Sequence, residues 1–563
     1  MPFSGAGVPP LCHCEKQRTL RRGNLAVGVY GIFHNSHKVR ISLRNAQYHS
    51  RLREYHCDKV AKKYKGKLMS KIGFDSNLYM QKQSEHILER INRFDKLYLE
   101  FGGKLFDDLH ASRVLPGFDK AAKIKLLQKL RDKAELIICI NANAIERNKI
   151  RADYGITYGS EVERMIDNIS AMGIYINGVV ITMFADQQGA LAYKQKLENR
   201  GIKVYIHRPT KGYPHEINTI VSDEGYGANP YIETTRPLVV LTAPGPGSGK
   251  LATCLSQLYH ENKRGVKAGY AKFETFPIWN IPLNHPVNVA YEAATADLKD
   301  VNKVDNFHLD AYGEITVNYN RDIEVFPVVK SILEKITGQE CIYKSPTDMG
   351  VNMAGYCIVD DEVCREASKK EIVRRYYKAL CDFKTGTGSE DTVNRLEFLM
   401  SRLSINLSDR KVIEIAKKKS EDNENCGAVA LELPDGRIVT GKNTKRMSAS
   451  AACVFNAVKM LAGIKDSQKL ISPYVIGPII DLKTKILKEH HKTLTLEEAL
   501  LALSICAASD AQAANAMEQL SALEGCDAHS THMLFKADEN PFKKLGVRLS
   551  CSPEFLDNTL FSE

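Results

Sequence analysis

The chain has 563 residues, 44% hydrophobic and 26% charged, the composition of a soluble globular protein with several domains, and no apolar run is long enough to span a bilayer. Its formal charge of +11 is misleading, because residues 1–68 carry 14 Lys/Arg against 3 Asp/Glu and so account for all of it. The neutral remainder gives no argument for nucleic acid or an anionic membrane as partner.

Residues 1–68 hold five of the 16 histidines and no periodic pattern longer than two turns. They read as a misassigned start ahead of Met69, with a disordered basic arm as the alternative. A first domain is expected over 69–325. A helix capped at Asp75/Ser76 leads to strand Leu97–Phe101, which ends in Gly102-Gly103-Lys104 and a polar cluster with Asp107, Asp108, His110 and Arg113. Helices at 119–133, 160–172 and 187–199 then alternate with strands at 136–140, 179–184 and 202–207. These strands are apolar without alternation, as in a parallel sheet covered on both faces by crossover helices. A long polar loop, 208–237, carries Lys211.

Strand Leu238–Thr242 follows, and it ends in Ala243-Pro244-Gly245-Pro246-Gly247-Ser248-Gly249-Lys250 ahead of a helical pattern at Leu251, Cys254, Leu255 and Leu258. Strand, glycine turn, lysine and helix are the parts of a phosphate-binding loop: glycines let backbone N–H groups close round an anion, and the helix N-terminus adds positive potential. The match to G-x-x-x-x-G-K-[ST] is incomplete, with Pro244 at the first glycine and Leu251 in place of the magnesium-binding hydroxyl. The competing reading is a tight turn whose glycines serve only packing.

A strand near 269–273 and a helix at 286–297 close this domain. A helical domain is expected over 326–425, with helices at 326–337, 348–383 and 388–419. A smaller α/β domain is expected over 426–563. It starts with a hairpin, Ala428–Leu433 and Arg437–Gly441 about Pro434-Asp435-Gly436, and continues with helices at 447–461, 472–488 and 496–519. Cys526-Asp527-Ala528-His529-Ser530-Thr531-His532 and a short strand near Val547 complete it.

The 14 cysteines include no C-x-x-C pair, and Cys139, Cys254, Cys453 and Cys506 sit inside apolar patterns, as expected for reduced thiols in the cytoplasm. No metal site is expected, since Asp527, His529 and His532 would not all face one way in a strand.

Phe101-Gly102-Gly103-Lys104, His110–Phe118, Thr242–Lys250 and Ala528-His529-Ser530-Thr531 resemble the uncharacterised, mainly bacterial family called domain of unknown function 1846, over about Met69 to Glu563. The resemblance implies the fold and little about activity. The hairpin from Gly427 with its following helix is also similar to the opening of deaminase-like folds. Such chemistry needs H-x-E and P-C-x-x-C, and Ser448-Ala449-Ser450 stands in that region instead.

The expected architecture is therefore a mainly parallel Rossmann-like sheet with a P-loop-like turn, a helical middle domain and a deaminase-like C-terminal domain without the zinc motif. Gly245, Gly247, Ser248, Gly249 and Lys250 are the expected phosphate or nucleotide contacts, with Lys104, His110, Arg113, Lys211, His529 and Ser530 as further ligand contacts. The expected partner is a small phosphorylated ligand, with self-association left open. A nucleotide is the candidate cofactor, and Leu251 argues against magnesium; Asp186 and Asp322 are the candidate second metal ligands. Whether the chain is an enzyme or a non-catalytic assembly protein stays open.

Overall fold

The apolar runs of the N-terminal half form strands: β1 (Lys96–Phe101), β2 (Ala134–Asn141), β3 (Ile176–Thr182), β4 (Val204–Ile206), β5 (Leu238–Thr242), β6 (Ala268–Phe273) and the two-residue β7 (Gly350–Val351). The computed structural model describes residues 71–151, 155–489 and 492–556; the expected misassigned start lies outside them. The seven strands make one sheet in the order β7-β6-β1-β5-β2-β3-β4. Every pairing in it is parallel. The strand that leads into the glycine turn, β5, is its centre.

Side chains alternate between two buried faces. Leu97, Leu99 and Phe101 of β1, with Leu238 and Val240 of β5, join one core cluster. Tyr98, Val239 and Leu241 join the cluster on the other face. Helices Ser76–Ile91, Tyr158–Ala171 and Gln188–Glu198 supply apolar residues to the first face, and helices Lys250–Lys263 and Asn320–Thr337 to the second. This is why the strands read as continuous apolar runs: neither face is left to water.

The segment 326–425 is mainly helical, in pieces that differ from the expected ones. Helix Asp361–Lys384 starts late, capped by Asp360. The residues before it pair with the sheet instead: Gly350 lies opposite Lys272 and Val351 opposite Phe273. Gln83 fixes this edge, donating to the Val351 carbonyl at 2.9 Å and accepting from the Met353 N–H at 2.8 Å. Arg90 donates to the Gly350 carbonyl at 3.4 Å. Partners this far along the chain override a local helical pattern. The expected helix at 388–419 is broken between Glu390–Arg402 and Val412–Glu421. Ser404 has φ of 54°, and Asn406 and Asp409 form a capping box that begins a new turn.

In the C-terminal part, β8 (Ala428–Glu432), β9 (Ile438–Lys442), β10 (Asp527–Ser530) and β11 (Arg548–Cys551) form a second sheet ordered β9-β8-β10-β11. β8 is antiparallel to both neighbours, and β10 is parallel to β11. Helix Ala449–Ala462 lies against the hairpin so closely that a Cβ on Gly441 would stand 2.2 Å from the Cys453 nitrogen. The described residues belong to one compact unit. Among the described residues no helix is long and apolar enough to cross a membrane.

Candidate functional site

Strand order alone marks one place for a ligand. The chain leaves β1 and passes β5 to reach β2, then leaves β5 and passes β1 to reach β6. The helices that follow β1 and β5 thus lie on opposite faces of the sheet, an arrangement in which open α/β sheets bind ligands beyond the C-terminal ends of the strands. The loop after β1 carries Gly102, Gly103 and Lys104; the loop after β5 is the glycine turn, 243–250.

The turn is shaped from its carbonyl side. Asn141, ending β2, donates Nδ2–H to the Gly247 carbonyl at 3.0 Å, and Thr182, ending β3, donates its hydroxyl to the Ser248 carbonyl at 2.8 Å. The buried Ser248 hydroxyl donates to the Gly245 carbonyl. Helix Lys250–Lys263 starts after Gly249 (φ 80°) with no side-chain cap. Among the described residues the N–H groups of Gly247, Ser248, Gly249 and Lys250 find no acceptor. The glycines are not equivalent. A Cβ on Gly245 would stand 2.3 Å from the Tyr158 hydroxyl oxygen, and one on Gly249 2.8 Å from Thr182 Cβ, whereas Gly247 (φ 71°) faces open space.

Lys250, the residue expected to neutralise phosphate, lies 3.6 Å from Glu100 Oε1, both side chains largely buried. Glu100 also accepts from the Tyr270 hydroxyl at 2.9 Å. Next to them Lys272 pairs with Glu274 at 2.7 Å and with Asp322 at 2.5 Å. Burial pushes the Glu274 carboxyl up to about 7, although Lys272 opposes it. Glu100, Lys272 and Glu274 are additions to the sequence reading. The local signal was a carboxylate one residue from the end of a buried strand, a place that charge avoids without a partner. Asp186 is exposed and paired with Arg208 at 2.8 Å, away from this group. Burial also pushes the Cys139 thiol up to about 12 and Cys254 well above its ordinary value, so both stay protonated.

The other expected contacts fall in three places. His110 and Arg113 lie on the short helix Leu109–Val114, on the opposite face of β1 from Lys250, where Ala111 and Val114 join the core of Leu99 and Phe101. His110 meets the rings of Phe276 and Tyr291 edge-on at 5.1 and 5.2 Å. Lys211 is exposed beyond edge strand β4, paired with Glu224 at 2.5 Å. His529 and Ser530 are buried in the second sheet. The His529 ring nitrogens bond the hydroxyls of Ser550 at 2.9 Å and Ser552 at 3.1 Å, and its ring meets Tyr377 edge-on at 4.8 Å. His529 and Ser530 thus lie in the second sheet and Lys211 in the loop after β4, whereas the glycine turn follows β5.

Burial of histidine rings makes stability depend on pH. Burial pushes His110 and His529 down to about 3, and His207 and His532 down to about 4. Each stays neutral in the folded state while its unfolded counterpart, near about 6.5, takes a proton. Folding stability is thus intact above about pH 6.5 and falls as pH drops through the interval down to these values, by up to about 1.4 kcal/mol per pH unit per histidine. Urea unfolding at pH 7 and pH 5 is expected to show a smaller loss for His529→Gln than for the wild type; equal losses would rule out a contribution from His529.

Two family profiles match this chain one after the other. The sequence profile described as "Domain of unknown function DUF1846, N-terminal" matches residues 72–404, and its C-terminal counterpart matches residues 408–561. A UPF0371 protein of Clostridioides difficile (strain 630) is 56% identical over 498 residues, covering 87% of this chain and 99% of the relative. A UPF0371 protein of Clostridium tetani is 58% identical over the same length and coverage. The chain belongs to the DUF1846 family.

Proposed function

We propose that the protein is cytoplasmic and binds a nucleotide or a small phosphorylated metabolite through the turn 244–250. The observation that carries this reading is the uncapped helix start at the diverging crossovers, with the N–H groups of Gly247 to Lys250 unclaimed while the carbonyls of Gly247 and Ser248 are tied down from β2 and β3. Lys250 adds a point charge, and Glu100, its partner, is placed to exchange a proton or to share a ligand-borne cation. Leu251 packs against the apolar cluster behind the helix and supplies no hydroxyl for magnesium, which speaks against a fast magnesium-dependent ATPase. The free cysteines, most of them buried, suit a reducing compartment.

A second reading has its own observation. Gly245 and Gly249 are required by the contacts with Tyr158 and Thr182 alone, as a non-catalytic or assembly protein with a packing turn would need. For the second sheet we propose a deaminase-like arrangement without its zinc chemistry, because helix Ala449–Ala462 begins with Ser448 as its cap where a metal ligand would be needed.

Thermal shift against nucleotides and sugar phosphates, with and without magnesium, separates the readings. A ligand at 100 times its dissociation constant adds about 2.7 kcal/mol. Lys250→Ala is expected to weaken that ligand by about tenfold or more and, because it takes a partner from the buried Glu100 carboxylate, also to lower the unliganded melting temperature. No response to any phosphorylated compound favours the packing turn.

A further inference from the structure

Helix Leu109–Val114 and helix Asp361–Lys384 bring three guanidinium groups around one carboxylate. Glu371 is almost fully buried. Arg374 takes both its oxygens, at 2.6 and 2.6 Å, and Arg375 Nε donates to Oε1 at 2.9 Å. Arg113 stands 3.7 Å from the same Oε1 and makes no hydrogen bond among the described residues. The neighbouring charges restore the balance only in part. Asp108 is paired with Lys123 at 3.0 Å, and Asp527 with Arg410 at 2.7 Å. A further cation, Arg548, donates to the Ser112 carbonyl at 3.1 Å. Asp297 offsets Arg375 in part, which still leaves excess positive charge at Arg113 in a largely buried place, and uncompensated buried charge costs several kcal/mol.

His110 is a second, independent anomaly. It lies one turn before Arg113 on the same helix, and both its ring nitrogens are buried without a partner among the described residues. A neutral imidazole has one donor and one acceptor to satisfy, and buried groups of this kind rarely go unmatched. Burial and the repulsion of Arg374 push Arg113 down to about 9.

We infer that Arg113 and Arg375, with His110 beside them, form a binding site for the dianion of a phosphate monoester, separate from the glycine turn. The cations converge on one point, all three reaching Glu371 Oε1, so a single compact dianion matches them better than two separated carboxylates would. Guanidinium forks suit phosphate oxygens, and a monoester carries about −1.5 to −2 at neutral pH. The inference does not rest on the glycine-turn reading, since Lys250 and Arg113 lie on opposite faces of β1.

The test is titration calorimetry on the full chain with inorganic phosphate and with glycerol 3-phosphate, against chloride at equal ionic strength. The wild type is expected to bind phosphate. Arg113→Gln is expected to weaken binding about tenfold or more and to melt no lower than the wild type in phosphate-free buffer, because it removes an uncompensated charge. Lys250→Ala is expected to remove any binding event that belongs to the glycine turn and to retain the one that Arg113→Gln abolishes. Tighter binding of the ester than of inorganic phosphate identifies a phosphorylated metabolite as the ligand; equal binding identifies free phosphate. The inference is overturned if the wild type binds no phosphate, if Arg113→Gln binds it unchanged, or if only Lys250→Ala loses it, the last assigning binding to the glycine turn. Should Arg113→Gln fail to fold, Arg375→Gln gives the same reading.

Discussion

Arg410→Ala is expected to lower the unfolding free energy by about 3–5 kcal/mol, as loss of one partner of a buried ion pair does. Arg410 is 1% exposed and is the largest fully buried side chain among the described residues. Its Nη1 pairs with Asp527 at 2.7 Å, its Nη2 donates to the Ala528 carbonyl at 3.1 Å, and its Nε donates to the Ser550 hydroxyl at 3.2 Å. One side chain thus ties β10 to β11 and holds the carboxylate at the start of β10. Alanine leaves that carboxylate with Lys370 at 3.6 Å as its remaining near partner. Urea unfolding of the variant measures the loss, and a value under about 1 kcal/mol would mean that water reaches the site freely. The double variant Arg410→Met, Asp527→Leu separates pairing from packing: it should recover most of the stability, because an apolar pair of similar volume often does as well as a buried ion pair.

Glu371→Ala is the second large effect, expected at the upper end of the same range. Against the opposing effect of burial, Arg374, Arg113 and Arg375 hold the Glu371 carboxyl well below its ordinary value. Without it three guanidinium groups face one another. The sign with pH follows from the depressed folded value. The stabilisation is fully present above the unfolded carboxyl's titration near about 4.3, and is lost as pH falls from there towards the folded one. The wild type and Glu371→Ala should therefore differ most at neutral pH and converge in acid. Inorganic phosphate, at a concentration that saturates the wild type, should recover part of the variant's melting temperature, since it replaces the missing negative charge. A variant as stable as the wild type at pH 7 would mean that the arginines find other partners.

How much of this was legible in the sequence depends on the distance over which each feature is decided. Leu238–Thr242 could be read because five consecutive residues buried on both faces leave a local trace, and the glycine turn follows it directly. Gly350–Val351 could not, because it is two residues long and exists only through Lys272, Phe273 and the side chain of Gln83. The glycine turn was legible as a pattern, but its carbonyl anchors Asn141 and Thr182 come from two other strands. Glu100 went unnoticed because it sits in a run otherwise typical of a buried strand. The arginine cluster was beyond reach for a different reason. Helix Asp361–Lys384 is charged along its length, which locally reads as a solvated face, and only its packing against helix Leu109–Val114 shows that Glu371 is enclosed.

The edges of the large sheet have a consequence for behaviour at high concentration. One edge, β4, is three residues long; the other, β7, is two, and Gln83 and Arg90 already occupy its carbonyls at Val351 and Gly350. An open sheet that offers a long free edge is a template on which other chains can polymerise. The large sheet offers almost nothing to template on, so fibril growth should not start from it even when surface charge is screened by salt. Self-association that involves this half of the chain should then use helix faces, and its interface should dissociate without unravelling the sheet.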